Sequence, residues 1–172
     1  MVERRTGMTA NTPNNLLIDA PTILVSGTSI GAARDGATWT LEQTIREPNI
    51  DGARGPVVGT RRVTRSVARV TFSPLEWTPE NWRQFIAGAL GNPLRRSTYI
   101  IDPSFHIPEV SIIGTRQDGG EAIITLFDAL GDSEEISAAM EDENEAAPEV
   151  QLTAHFKPTN VSDEEPWSIK LP

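Results

Sequence analysis

The sequence predicts a mainly β protein: two antiparallel sheets packed as a sandwich or partial barrel, with one flanking helix at about residues 79–90. Three observations carry this. Runs such as Ala37–Ile45 and Val150–Phe156 alternate apolar and polar residues with a period of two. Short runs rich in Gly, Pro and Asp separate them, as turns do. Only one stretch, Thr78–Gly91, carries a helical apolar stripe with terminal signals.

In chain order, residues 1–20 are polar and read as an extended N-terminal arm, with residues 21–172 as one domain. Thr22–Ser26 is a short β-rich run. Asp35-Gly36 marks a turn before the strand Ala37–Ile45, whose Ala37, Trp39, Leu41 and Ile45 share one face. Arg46–Thr60 is a long Pro/Gly/Asp loop, a length usually reserved for function or disorder. From Arg61 to Trp77 the pattern is extended again, but Val63 and Val67 fall on one face and Ala68, Val70 and Phe72 on the other. A β-bulge or change of environment near Val67–Arg69 reconciles the halves.

Thr78 is a helix N-cap, Pro79 suits the first helical position, and Glu80 complements the dipole. Trp82, Phe85, Ile86, Ala89 and Leu90 make the stripe, which gives Trp82 and Phe85 to the core, and Gly91 is placed as the C-terminal cap. Ser97–Ile101 reads as a strand, and so does Phe105–Ile113, where Pro108 suggests an edge or bulge. Glu121–Ala129 pairs with the latter as a hairpin across Gly114–Gly120. Gly131–Glu149 holds eight acids and no base, read as a short strand at Ile136–Met140 followed by an acidic turn. Val150–Phe156 is an alternating strand, and Pro166–Pro172 is a final strand docking on an edge or a neighbour.

The chain has 172 residues, no cysteine and a net charge of −9. The missing cysteines exclude disulfides, thiolate metal sites and thiol nucleophiles, and fit a reducing compartment. No apolar run reaches membrane-spanning length, so no membrane insertion is expected, and the N-terminus lacks the apolar middle of a signal peptide. Met8 is an alternative start to Met1. Residues 1–116 carry 13 basic and 10 acidic side chains, whereas residues 117–172 carry 2 and 14. This asymmetry invites self-association, but taken alone an acidic half that merely aids solubility is the better explanation.

No catalytic, cofactor or metal site emerges. His106 and His155 are the only imidazoles, each in a strand pattern with no close Cys/His/Asp cluster. Neither a nucleophile elbow nor a phosphate-binding glycine motif occurs. Glu141, Asp142, Glu143 and Glu145 lack calcium-loop spacing. The cluster Arg61, Arg62, Arg65 and Arg69 has little aromatic interleaving and sits in an acidic protein, against a dedicated nucleic-acid reader.

The succession of an Asn-rich arm, a strand into a Gly-rich turn, the loop and strand DGARGPVVGTRRVTRSVARVTFSPLEWTPENW (Asp51–Trp82) and an amphipathic helix resembles the major tail tube proteins of long-tailed bacteriophages. In that family a "GPV.GT.R" loop similarly precedes a strand, an acid and a helix-opening Thr. The resemblance covers most of the chain in architecture and residues 22–90 in detail. It implies the phage tail tube fold and a structural, non-enzymatic subunit in the virion tail, made in the bacterial host cytoplasm. Such subunits form stacked, usually hexameric rings whose inner sheets join around a lumen that conducts double-stranded DNA during ejection.

The expected partners are then further copies of the chain, tail tip and head–tail completion proteins, and transient, non-specific DNA. Under this reading Arg54, Pro56, Arg61, Arg62, Arg65 and Arg69 belong to subunit or ring interfaces. Glu134, Glu135, Glu141, Asp142 and Glu143 are candidates for an acidic lumen or interface, where negative charge repels phosphate. Two other readings stand beside it. One is a monomeric β-sandwich binding a surface ligand such as a carbohydrate, although the loop lacks aromatic residues for sugar stacking. The other is a carboxylate-dependent hydrolase using Glu76 or Asp102.

Overall fold

The computed structural model describes residues 21–48, 55, 57–116, 119–140, 146–157 and 164–171. The strands are β1 (Thr22–Val25), β2 (Thr28–Ser29), β3 (Ala33–Arg46), β4 (Arg62–Pro74), β5 (Ala89–Leu90), β6 (Arg95–Arg96), β7 (Ile107–Thr115), β8 (Glu121–Gly131), β9 (Val150–Thr153) and β10 (Trp167–Lys170). One helix, α1 (Pro79–Phe85), lies between β4 and β5. The chain is thus mainly antiparallel β with one flanking helix, as its alternation predicts. No helix among the described residues is long and apolar enough to cross a membrane.

Eight strands form one antiparallel sheet in the order β2-β1-β7-β8-β9-β4-β3, with β10 also on β8, and β5 and β6 form a separate two-stranded ribbon. β8 joins the layers. Its residues 123–126 pair with β10, whereas Leu130 and Gly131 pair with β9. Between the two pairings lies Asp128, in the left-handed region at φ 48°. Pro108 stands opposite this irregularity, on a part of β7 beyond the end of β1, where its missing N–H leaves no β1 ladder bond unmade.

Both halves of the sheet face one core. Ile23 and Val25 from β1, Val70 and Phe72 from β4, Val110 from β7, Leu126 from β8, and Val150 and Leu152 from β9 are all buried in it with Phe85 of α1. The inward positions of β4 (Ser66, Ala68, Val70, Phe72, Pro74) are buried in strict alternation, and Trp39 and Leu41 of β3 pack at the rim. β10 docks on its own chain, and Trp167 tilts against Trp39 at 5.7 Å between ring centroids.

α1 begins as its sequence dictates. The Thr78 hydroxyl accepts the Asn81 N–H at 3.2 Å, and Pro79 occupies the first turn. Its end is a correction: the helix stops at Phe85, not near residue 90. Ile86 is extended, and Gly88 at φ 77° turns the chain into β5. A helix interior glycine costs about 1 kcal/mol relative to alanine, so Gly88 favours this exit. Gly91, at φ 87°, serves the β5–β6 turn rather than a helix cap.

Three further expectations are corrected. The irregularity in β4 lies at Thr64, which has no opposite residue between the pairs Thr44–Arg65 and Ile45–Val63, rather than at Val67–Arg69. Residues 97–101 form no strand, because Thr98 folds back on Ile100: its hydroxyl accepts the Ile100 N–H at 3.1 Å. Residues 136–140 form no strand either, and most are exposed, with no partner strand to hold them.

α1 reaches the sheet because Gly131 offers no side chain. A Cβ there would meet the carbonyl group of Phe85 and the oxygen of Gln84. Gly131→Ala is expected to cost about 1–3 kcal/mol, as overpacking does, since backbone cannot rotate aside. Urea unfolding followed by tryptophan fluorescence reads the loss.

Candidate assembly surface

β3 and β4 form a hairpin that extends past the core. From Ala37–Phe72 to Leu41–Ala68 it covers the core, but Glu42–Arg46 of β3 and Arg62–Arg65 of β4 are exposed on both faces. At about 3.3 Å per residue, the protruding five residues of β3 add roughly 16 Å. Past the core neither face is buried, which is why apolar alternation in β4 loses its register before Ser66.

Charge pairing runs along the arm. Arg69 Nη1 donates to Glu42 Oε2 at 2.9 Å, Arg65 Nη1 lies 3.7 Å from Glu42 Oε1, and Arg61 Nη2 reaches Glu47 Oε2 at 3.1 Å. Three arginines singled out in the sequence therefore meet acids of their own hairpin. Arg62 has no ion-pair partner among the described residues. The Thr64 hydroxyl donates to the Thr44 carbonyl at 3.1 Å and closes the bulge. These exposed pairs contribute little stability; they set the direction and charge of the arm.

The Arg69 hydrogen bond, and then the Arg65 charge, hold the Glu42 carboxyl below the ordinary value of 4.5. A lowered carboxylate pKa means that the pairing is complete above that value and is lost as pH falls through the folded pKa. NMR titration is expected to show Glu42 ionising at lower pH than an unpaired glutamate. In Arg69→Ala its midpoint should rise; an unmoved midpoint would show that the contact is not formed in solution.

The arm is not uniformly polar. Ile45 and Val63, paired across the strands, are 55% and 50% exposed, and Val58 near the tip is fully exposed. β3 pairs with β4 on one side, and among the described residues no strand pairs with its other edge. Such an edge is a template for another chain.

Beside the arm, a groove of about 740 Å³ runs between β4 and the chain after β9. Arg65 and Arg69 line one side, and Asp132, Glu164 and Glu165 the other. Among the described residues of its lining, Phe156 is the one aromatic ring besides His155, a poor platform for sugar stacking. A shallower hollow beyond Arg69 is rimmed by Asp132, Glu134, Glu135 and Glu149. Glu134 and Glu135 are exposed there. Arg54, Pro56, Glu141, Asp142 and Glu143 lie outside the described residues.

The remaining candidates are held apart by local tasks. Asp102 accepts the Ser104 N–H at 2.9 Å, capping a 3₁₀ turn at Pro103–Phe105, and this bond lowers its pKa. The Glu76 carboxylate lies against Gly31, where a Cβ would collide with it. Neither carboxylate hydrogen-bonds the other. Trp82 and Phe85 pack with Phe72 as the helical stripe implies, but Trp77 is partly exposed, stacked on Trp82 and donating to the Ala146 carbonyl at 2.9 Å.

The structure does bring His106 and His155 together, edge to face with centroids 5.1 Å apart, which no spacing in the sequence signals. His155 Nδ1 lies 2.8 Å from the Thr153 carbonyl. No group of three or more metal-ligating side chains occurs among the described residues.

No protein-family model matches this chain, and a comparison with curated proteins gave no match.

Proposed function

We propose that this chain is a structural subunit that self-assembles into stacked rings forming a phage tail tube, whose lumen passes double-stranded DNA. The observation that carries the reading is the β3–β4 arm, which projects past the core with Ile45 and Val63 exposed and with no strand on the outer edge of β3 among the described residues. A monomer gains nothing from an arm that covers no core, whereas ring closure pairs sheet edges and stacking covers the tip. The order of elements from β1 to α1 also follows the resemblance to tail tube proteins. The acidic segment after β8 suits an interface with a basic surface of a neighbouring subunit. The further partners under this reading are tail tip and head–tail completion proteins, and the location is the virion tail.

Electron microscopy of the purified protein over a range of salt and concentration tests this. The expected result is rings or tubes on the order of 10 nm across, the width that several domains of this size around a lumen require. A protein that stays monomeric at high concentration under every salt condition overturns the proposal and leaves a monomeric binding module.

A further inference from the structure

We propose that copies of this chain join head to tail, with the basic, apolar ribbon segment Leu90–Ile101 of one copy seated on the acidic segment 132–140 of the next. This rests on the self-assembly reading above, and names surfaces distinct from the arm.

The first surface is apolar and cationic. Tyr99 is 92% exposed, Ile100 79%, and Leu90 lies on the same ribbon, also exposed. Their exposure is built in. The Thr98 hydroxyl holds the Tyr99–Ile100 turn through both Ile100 N–H and its carbonyl, and Arg83 ties α1 to the ribbon by donating to the Gly91 carbonyl at 3.2 Å. Arg95 and Arg96, cross-strand from Leu90 and Ala89, are exposed with no ion-pair partner among the described residues. In the arm, by contrast, Arg61, Arg65 and Arg69 are answered by Glu47 and Glu42.

The second surface is its complement. Glu134 and Glu135 are exposed and carry no ion pair among the described residues, and Met140, further along the same segment, is 80% exposed. Each surface thus offers apolar area beside uncompensated charge, with opposite signs. No hydrogen bond or ion pair joins the two within one chain. A contact between unlike surfaces of identical copies is heterologous, and such contacts generate rings when the rotation closes. Exposed apolar patches rimmed by charge mark interaction sites, and complementary potentials fix the partner and register.

Charge swaps test it in the full chain. Arg95→Glu with Arg96→Glu is expected to weaken assembly roughly a hundredfold by sedimentation, as like charges across an interface do. Glu134→Arg with Glu135→Arg should do the same. Mixed in equal amounts, the two variants should assemble again, because each then meets opposite charge on its neighbour, and this rescue excludes misfolding as the cause. The absence of cysteine permits a second readout. A mixture of Ile100→Cys and Met140→Cys copies should cross-link one variant to the other rather than to itself. If the unaltered protein assembles while both charge variants assemble equally well, or if Ile100→Cys pairs only with itself, this interface is wrong and the subunit reading survives. If the unaltered protein never assembles, the subunit reading fails first.

Discussion

Phe85→Ala is expected to destabilise the domain by about 3–5 kcal/mol, the range for removing a buried aromatic side chain. Phe85 is 1% exposed and stands edge-on to Phe72 at 5.5 Å and to Trp82 at 5.8 Å between ring centroids. Its ring is the only contribution of α1 to the fully buried core. The backbone beneath it is pressed onto Gly131, so the helix has little freedom to settle into the void. At about 2–4 °C per kcal/mol for a domain of this size, the melting temperature should fall by roughly 10 °C. Thermal unfolding monitored by circular dichroism measures it. A drop of only a degree or two would show that α1 does not seal the core as described.

Shortening the arm should have the opposite profile. Replacing residues 45–64 with Asn-Gly joins Thr44 to Arg65, which already face each other, and supplies a turn suited to a two-residue hairpin. The deletion removes the bulge at Thr64, the exposed Ile45, Val58 and Val63, and the loop between the strands. It keeps every core residue and the Glu42–Arg69 pair. Melting is expected to change by no more than about 3 °C, because exposed positions contribute little to stability. Assembly seen by sedimentation and microscopy should disappear. If rings or tubes form as before, the arm is not an assembly element.

These two outcomes mirror what was legible in the sequence. Period-two alternation gave β3, the inner half of β4 and β9, because one face of each is buried and the pattern records it, whereas β7, β8 and β10 were legible as extended runs between turns. The start of α1 was readable from Thr78 and Pro79, since capping is local chemistry. Its end was not: Ile86, Ala89 and Leu90 fit a helical stripe, yet the same residues serve an extended exit once Gly88 turns left-handed. Ser97–Ile101 looks like a strand because Ile and Tyr favour one, but no neighbouring strand is offered and the Thr98 hydroxyl captures the backbone. The arginine cluster was visible, whereas its partners were not. Glu42 lies 27 residues from Arg69, and only strand register sets them opposite. His106 and His155 lie just outside β7 and β9, not within strands as their pattern suggests, and they meet because both of those strands flank β8.

The position of β9 has a consequence in time. β4 and β8, which flank it, are complete by residue 131, but the strand between them is Val150–Thr153. While the chain is being made, the edges of β4 and β8 stay open and Val70, Phe72 and Leu126 lack the cover of Val150 and Leu152. Both edges are covered only once residues 150–153 have been made. A chain ending at residue 148 is therefore expected to aggregate and to bind a hydrophobic dye, whereas the full chain should not. β9 acts as a timer: the sheet stays unfinished until residues 150–153 have been made.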